Sequence, residues 1–228
     1  FKAAPLMRLT FVKLSDDKYK MFWTSHHILF DGWSLSILMG EFLSAYEVLA
    51  SGKEIEKTEE DLYEDYIRYI ERQDKDQQEK YWRDYMKGVT QSTLLPFIGA
   101  NVQRTRGAGN YETMALRIDE KITSQIESFA QKNRLTMNSV MQGVWSYILH
   151  HYTGSDDVTF GVVVSGRPDD LPNVEQRVGL YINTQPLHSS INKDSKTDDW
   201  LQEIQKYQVS SRQYQYTPLQ DIQLWTGV

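Results

Sequence analysis

A change of hydrophobic period at residues 25–34 constrains this chain more than any other feature. Tyr19-Lys20-Met21-Phe22-Trp23-Thr24 mixes aromatic and alternating polar residues as a strand does, and Leu9-Thr10-Phe11-Val12-Lys13-Leu14 reads likewise. With Ser15-Asp16-Asp17-Lys18 as the turn, the two make an expected hairpin. After Gly32 the apolar residues Leu35, Leu38, Phe42, Tyr46 and Leu49 recur every three or four positions, which is the period of an amphipathic helix. Ser34 is the expected cap and Gly52 the expected stop. A strand that turns directly into a helix projects side chains from the end of a sheet and brings the amides of the first helical turn to the same place, where an anion can be met.

The turn itself reads Ser25-His26-His27-Ile28-Leu29-Phe30-Asp31-Gly32-Trp33-Ser34. Imidazole exchanges protons near neutral pH, and a carboxylate nearby can orient a ring or stabilise its charged form. An isolated His-His dipeptide is most simply a buried pair satisfied by backbone carbonyls. Here the pair shares its turn with Asp31 and Gly32, which makes a proton-handling site the sharper reading. Gly32 is expected to supply torsions that let the loop turn sharply after Asp31. The Asp31 carboxylate has two possible partners, the backbone of its own loop or a remote cation.

Composition removes several function classes. The chain has 228 residues, 40% of them hydrophobic, enough for one large or two modest domains. A net charge of -6 and a pI near 5.4 leave no basic stripe for nucleic acid, and Arg104-Thr105-Arg106 lies in a Gly-rich stretch that reads as a solvated loop. No apolar run is long enough to cross a membrane and no signal peptide opens the chain, so a cytoplasmic location is expected. The absence of cysteine excludes disulfides, thiolate metal sites and a thiol nucleophile. A second pair, His150-His151, closes a helical segment; adjacent helical residues diverge and no carboxylate is spaced for ligation, so no metal is expected there.

Elsewhere the pattern alternates between helix and strand. Residues 61–87 carry aromatics at intervals among charges and suggest one or two helices with core-facing stripes. Residues 88–110 have no clear period and read as a connection. A strand is expected over residues 111–118, then a helix with Ile122, Ile126 and Phe129 on one face, then a helix capped by Thr136. Asp157–Val164 is an apolar, β-branched run expected as a central strand. Residues 181–187 read as another strand and residues 197–213 as a helix. There is no internal repeat.

The ten-residue turn resembles the H-H-x-x-x-D-G signature, followed by Trp-Ser, of condensation domains in nonribosomal peptide synthetases, relatives of chloramphenicol acetyltransferase. Leu62-Tyr63-Glu64-Asp65-Tyr66-Ile67 resembles the family's Tyr-x-Asp-Tyr helix motif. Val178-Gly179-Leu180-Tyr181-Ile182-Asn183-Thr184-Gln185-Pro186-Leu187 resembles its Val-Gly-x-Phe-x-Asn-Thr-x-Pro motif. Residues 163–168 and 216–223 also look like family segments.

The resemblance implies an α/β fold of two chloramphenicol acetyltransferase-like subdomains packed as a V around a tunnel. Residues 1–88 are then the end of the first subdomain, 89–110 a linker, and 111–228 the start of the second. The family's Ser-x-x-Gln and Arg-His-Glu motifs are missing, and the chain is expected to be truncated at both ends. The implied reaction is attack by the amine of a carrier-bound aminoacyl group on the thioester of a carrier-bound acyl or peptidyl group, an acyl transfer that makes a peptide bond. Its partners are upstream and downstream peptidyl carrier proteins and a neighbouring adenylation domain. No cofactor is bound directly; the phosphopantetheine arms come with the carriers.

The same resemblance makes His27 the reactive imidazole and His26 a shaper of the loop. Arg167 is implied as the ionic partner that keeps a buried Asp31 charged. Gly32 belongs to the loop turn, its amide facing a developing oxyanion, and Trp33, Ser34 and Asn183 are tunnel candidates. His26 argues against the heterocyclising members and Trp33 against the epimerising ones. Ester formation or transfer to a free amine stands as one alternative, a non-catalytic domain that recruits partners as another.

Overall fold

The computed structural model describes residues 4–56, 63–97 and 112–228. The hairpin forms as expected. β1 (Met7–Lys13) and β2 (Tyr19–Ser25) pair antiparallel, with Met7 opposite Ser25 and Lys13 opposite Tyr19. Its turn is closed by the Leu14 amide on the Lys18 carbonyl at 2.8 Å and by Lys13 Nζ on Asp16 at 2.7 Å. α1 (Gly32–Ala50) follows, and Gly52 lies beyond its end at φ +75°. The cap differs from expectation. Asp31, not Ser34, is the N-cap, its carboxylate accepting from the Ser34 amide at 2.9 Å, so the helix starts before Ser34 and buries it.

Residues 64–85 form two helices, α2 (Glu64–Glu71) and α3 (Lys75–Tyr85). The connection is irregular over 88–97; its remainder, with Arg104 and Arg106, lies outside the described residues. α4 (Glu120–Lys132) and α5 (Met137–Thr153) are capped by Asp119 and Thr136. The second pair, His150 and His151, lies in the last turn of α5, with the His150 ring 2.8 Å from the Ser155 carbonyl. β3 (Asp157–Val164) and β4 (Asn183–Ser190) form a second sheet, followed by α6 (Thr197–Ser211) and α7 (Leu219–Thr226).

Three expectations are corrected. Residues 112–118 are irregular rather than a strand, with Met114 97% and Leu116 88% exposed. Alternating apolar residues suit a strand, but a strand exists only through a partner's hydrogen bonds, and none of the described residues supplies them. β3 is not central: among the described residues it pairs with β4 alone, and Val163 is exposed. β4 starts at Asn183 rather than Tyr181, because the amides of Tyr181 and Ile182 are bonded to the Asp31 carboxylate instead of a neighbouring strand.

The chain forms two compact units that interleave in sequence: Phe1–Asp74 with Val164–Asn183, and Lys75–Val163 with Thr184–Val228. The second unit has a core of Ala130, Leu135, Val140, Leu187, Leu201 and Ile204. On α3 of the same unit, Trp82 is fully buried and Tyr81 stacks on Tyr214 at 4.3 Å, so this aromatic stripe faces inward. The first unit has a smaller cluster of Tyr66, Leu171, Val174 and Tyr181. Among the described residues no helix is long and apolar enough to cross a membrane.

Candidate active site

Every candidate residue from the sequence falls in the first unit. The turn between β2 and α1 is held at both ends by backbone bonds: the His26 amide reaches the Leu6 carbonyl at 2.9 Å, and the Asp31 amide reaches the Gly179 carbonyl at 3.1 Å. Between these points the two imidazoles differ. His26 Nδ1 accepts the Ile28 amide at 3.1 Å, which in the neutral ring leaves the proton on Nε2 and commits the side chain to shaping the loop. His27 is exposed at the apex of the turn, and its ring has no partner among the described residues.

Asp31 is buried at 4% exposure, and its two oxygens are fully used. Oδ1 caps α1 and lies 3.5 Å from Arg167 Nη2; Oδ2 accepts the amides of Tyr181 at 3.0 Å and Ile182 at 3.2 Å. Both partner types left open by the sequence are present: the loop's own backbone through Ser34, and a remote cation in Arg167. Burial pushes this carboxyl up, but the amides of Ser34, Tyr181 and Ile182 outweigh it and hold the group below its ordinary 3.8. The sign for stability follows. A depressed carboxyl stabilises the fold fully above its unfolded value and loses that contribution as pH falls through the lower folded value. Melting of the first unit is therefore expected to be insensitive to Asp31 above pH 3.8 and to weaken below it, a drop that Asp31→Asn removes in circular-dichroism melts across the acid range.

Arg167 is equally enclosed. Its guanidinium donates to the carbonyls of Val174 and of Arg177, the latter at 2.9 Å, and to Ser34 Oγ at 3.0 Å. It lies 4.1 Å from the centre of the Tyr181 ring and 5.4 Å from that of Trp33. Trp33 is half exposed and anchored by its indole N–H on the Glu175 carbonyl at 2.9 Å. The backbone before Arg167 requires glycine: Gly166 has φ +65°, and a Cβ there would overlap the Tyr181 carbonyl oxygen.

Ser34 is fully buried, with its hydroxyl bonded to Gly179 and Arg167, so nothing of it is left to face a tunnel. Gly32 corrects another expectation. It is the first residue of α1, without a positive φ, and a Cβ there would meet nothing within 4 Å. Its amide has no acceptor among the described residues. Asn183 opens β4, half-buried, directly after Ile182.

Sequence reasoning gave no role to the residues that brace this arrangement. Tyr63 Oη donates to the Leu180 carbonyl at 2.6 Å, Tyr66 packs its ring 4.6 Å from Tyr181, and Asp65 pairs with Arg177 at 3.1 Å. Burial pushes the Tyr63 and Tyr66 phenols up, so both stay neutral. The Tyr-x-Asp-Tyr helix thus clamps residues 177–181, the stretch whose backbone receives Asp31 and Ser34. Its motif was visible in the sequence; its partners, more than a hundred positions away, were not.

These elements agree with three comparisons. The family model of the Condensation domain matches residues 1–226. One of the linear gramicidin synthase proteins of Brevibacillus parabrevis is 40% identical over 225 residues, covering 99% of this chain and 4% of that protein. Bacitracin synthase 3 of Bacillus licheniformis is 36% identical over 218 residues, 96% of this chain and 3% of that protein. In fold, the chain matches the X-domain from teicoplanin biosynthesis with a TM-score of 0.76 at 22% identity, and the first condensation domain of the calcium-dependent antibiotic synthetase with 0.73 at 17%. Each match covers 98% of this chain and 51% of the solved one, so the chain spans about half of either domain and a small part of the synthetases. A complete histidine signature on an anchored turn, an enclosed Asp31–Arg167 pair and a family match over nearly its whole length make this chain a member of the condensation domain family.

Proposed function

We propose that this chain carries the signature half of an acyltransferase that forms peptide bonds between carrier-bound substrates in nonribosomal peptide synthesis. The observation that carries the reading is the inequality of the two histidines: within one anchored turn, His26 is bonded to backbone while the His27 ring is exposed and uncommitted. In the reaction the amine lone pair of the acceptor attacks the donor thioester carbonyl, the tetrahedral oxyanion collapses, and the carrier's thiol leaves with a proton. His27 orients the amine and takes its proton, two contributions that act together. The free Gly32 amide, at the start of α1, is a donor for the oxyanion. Phosphopantetheine arms of the upstream and downstream carrier proteins bring both substrates, an adenylation domain stands next to it, and the location is cytoplasmic. The subdomain division at 89–110 belongs to the same proposal.

The test supplies loaded donor and acceptor carriers to the chain within a condensation domain of the relatives' full length and looks for dipeptidyl carrier by mass spectrometry. Product that disappears in His27→Ala supports the reading. Carrier binding without product, the signature being intact, turns it to partner recruitment; product only with a free amine or alcohol turns it to the other acyltransferases.

Gly32→Ala separates chemistry from fold. The position has helical torsions and open space, so alanine is expected to raise stability by up to about 1 kcal/mol. Turnover is expected to fall, because the added methyl stands beside the amide offered to the oxyanion. Thermal melts and initial rates on the same variant check both signs.

A further inference from the structure

We propose that Ser34 is a positioning residue for His27: its buried hydroxyl fixes Gly179 as the common anchor of the histidine turn and of α1. This rests on the proposed role of His27. Ser34 Oγ donates to the Gly179 carbonyl at 2.9 Å and accepts the Gly179 amide at 3.1 Å and Arg167 Nη2 at 3.0 Å, which is everything a hydroxyl can do. The same Gly179 carbonyl accepts the Asp31 amide that closes the turn, at 3.1 Å. One residue of a distant segment is therefore gripped by the backbone at the end of the turn and by a side chain one helical turn later.

Gly179 is itself confined from behind, since a Cβ there would overlap the Tyr63 ring. Tyr63 is in turn bonded to the Leu180 carbonyl. His27, by contrast, has no partner of its own among the described residues. Its ring position is inherited from the backbone of the turn, which is closed locally by the Ile28 and Leu29 amides on His26 and held at its two ends by His26 on Leu6 and Asp31 on Gly179. Removing the Ser34 hydroxyl leaves the Asp31 amide alone on Gly179, while the Asp31 carboxylate keeps its contacts with Tyr181, Ile182 and Arg167. Freedom at one end of the turn is then expected without collapse of the charged pair.

The experiment has two arms. In the full chain, the His27 ring signals are followed by NMR in wild type, in Ser34→Ala and in the exposed-neighbour control Ser36→Ala. Ser34→Ala is expected to shift and broaden them, and the control to leave them in place. In the complete domain, Ser34→Ala is expected to lower kcat about tenfold or more with KM for the carrier changed less than about twofold. Ile204→Val, in the core of the other unit, serves as the control for a fall in Tm and is expected to keep kcat. Should Ser34→Ala fail to fold, Ser34→Cys, which is slightly larger and keeps a weaker donor and acceptor at the same place, takes its place.

His27 signals that superimpose on those of wild type, or a kcat loss no larger than that of Ile204→Val, overturn the proposal. The first arm needs no substrate: a displaced ring in a domain that makes no product overturns the proposed function and leaves the positioning role standing.

Discussion

Arg167→Ala is expected to destabilise the first unit by about 3–5 kcal/mol, the range for removing one partner of a buried ion pair. The cost has three sources. Asp31 keeps a buried charge with only amide donors around it; the carbonyls of Val174 and Arg177 lose a charged donor; and the Tyr181 and Trp33 rings lose the group lying against them. Arg167→Lys is expected to recover only part of this, since an ammonium cannot reproduce a planar fork that bonds Ser34 and two carbonyls while stacking on a ring. Denaturant unfolding followed by tryptophan fluorescence, with Trp33 against the guanidinium, reads both variants. Wild-type unfolding by Arg167→Ala with turnover lost would transfer Asp31 from a structural to a catalytic role.

How much of this was legible in the sequence depends on the range of each interaction. The hairpin, α1, α4, α5 and α6 follow from periods and caps within a few positions, and their residues announce them: Thr136 ahead of α5, the turn at 15–18, the apolar spacing after Gly32. The pairing of Asp31 with Arg167 spans more than a hundred positions. It was reachable only because a buried carboxylate requires a cation and the family resemblance offered one. Nothing in Ser34 announced that its hydroxyl bridges Gly179 and Arg167, because a serine before an apolar run reads equally as a cap, and Asp31 held that position instead. Residues 112–118 failed in the opposite direction. Their local alternation favours a strand, but pairing is a tertiary property that alternation does not supply.

The clamp by α2 shows the same division. Tyr63, Asp65 and Tyr66 sit within one helical turn, and each bonds or packs a different part of residues 177–181. Those residues offer backbone rather than side chains to the site, so their chemistry is invisible in a sequence. What the sequence does display is the price of that closeness: glycine at 166 and 179, where any Cβ would meet the Tyr181 carbonyl or the Tyr63 ring.

His27→Ala and His26→Ala are expected to separate what the adjacent letters of the motif conceal. His27 is exposed and bonded to nothing among the described residues, so its removal is expected to change stability by no more than about 0.5 kcal/mol. As the group that orients the amine and takes its proton, it is expected to cost about 10²–10⁴ in turnover, with carrier KM little changed. His26→Ala removes the acceptor of the Ile28 amide and loosens the turn, so Tm and turnover are expected to fall together. Melts and single-turnover rates on the two variants decide the assignment. A His27 variant that melts early, or a His26 variant that melts normally and is dead, exchanges the roles of the two rings, because the same backbone turn would then hold the reactive imidazole in the bonded position and the structural one at its exposed apex.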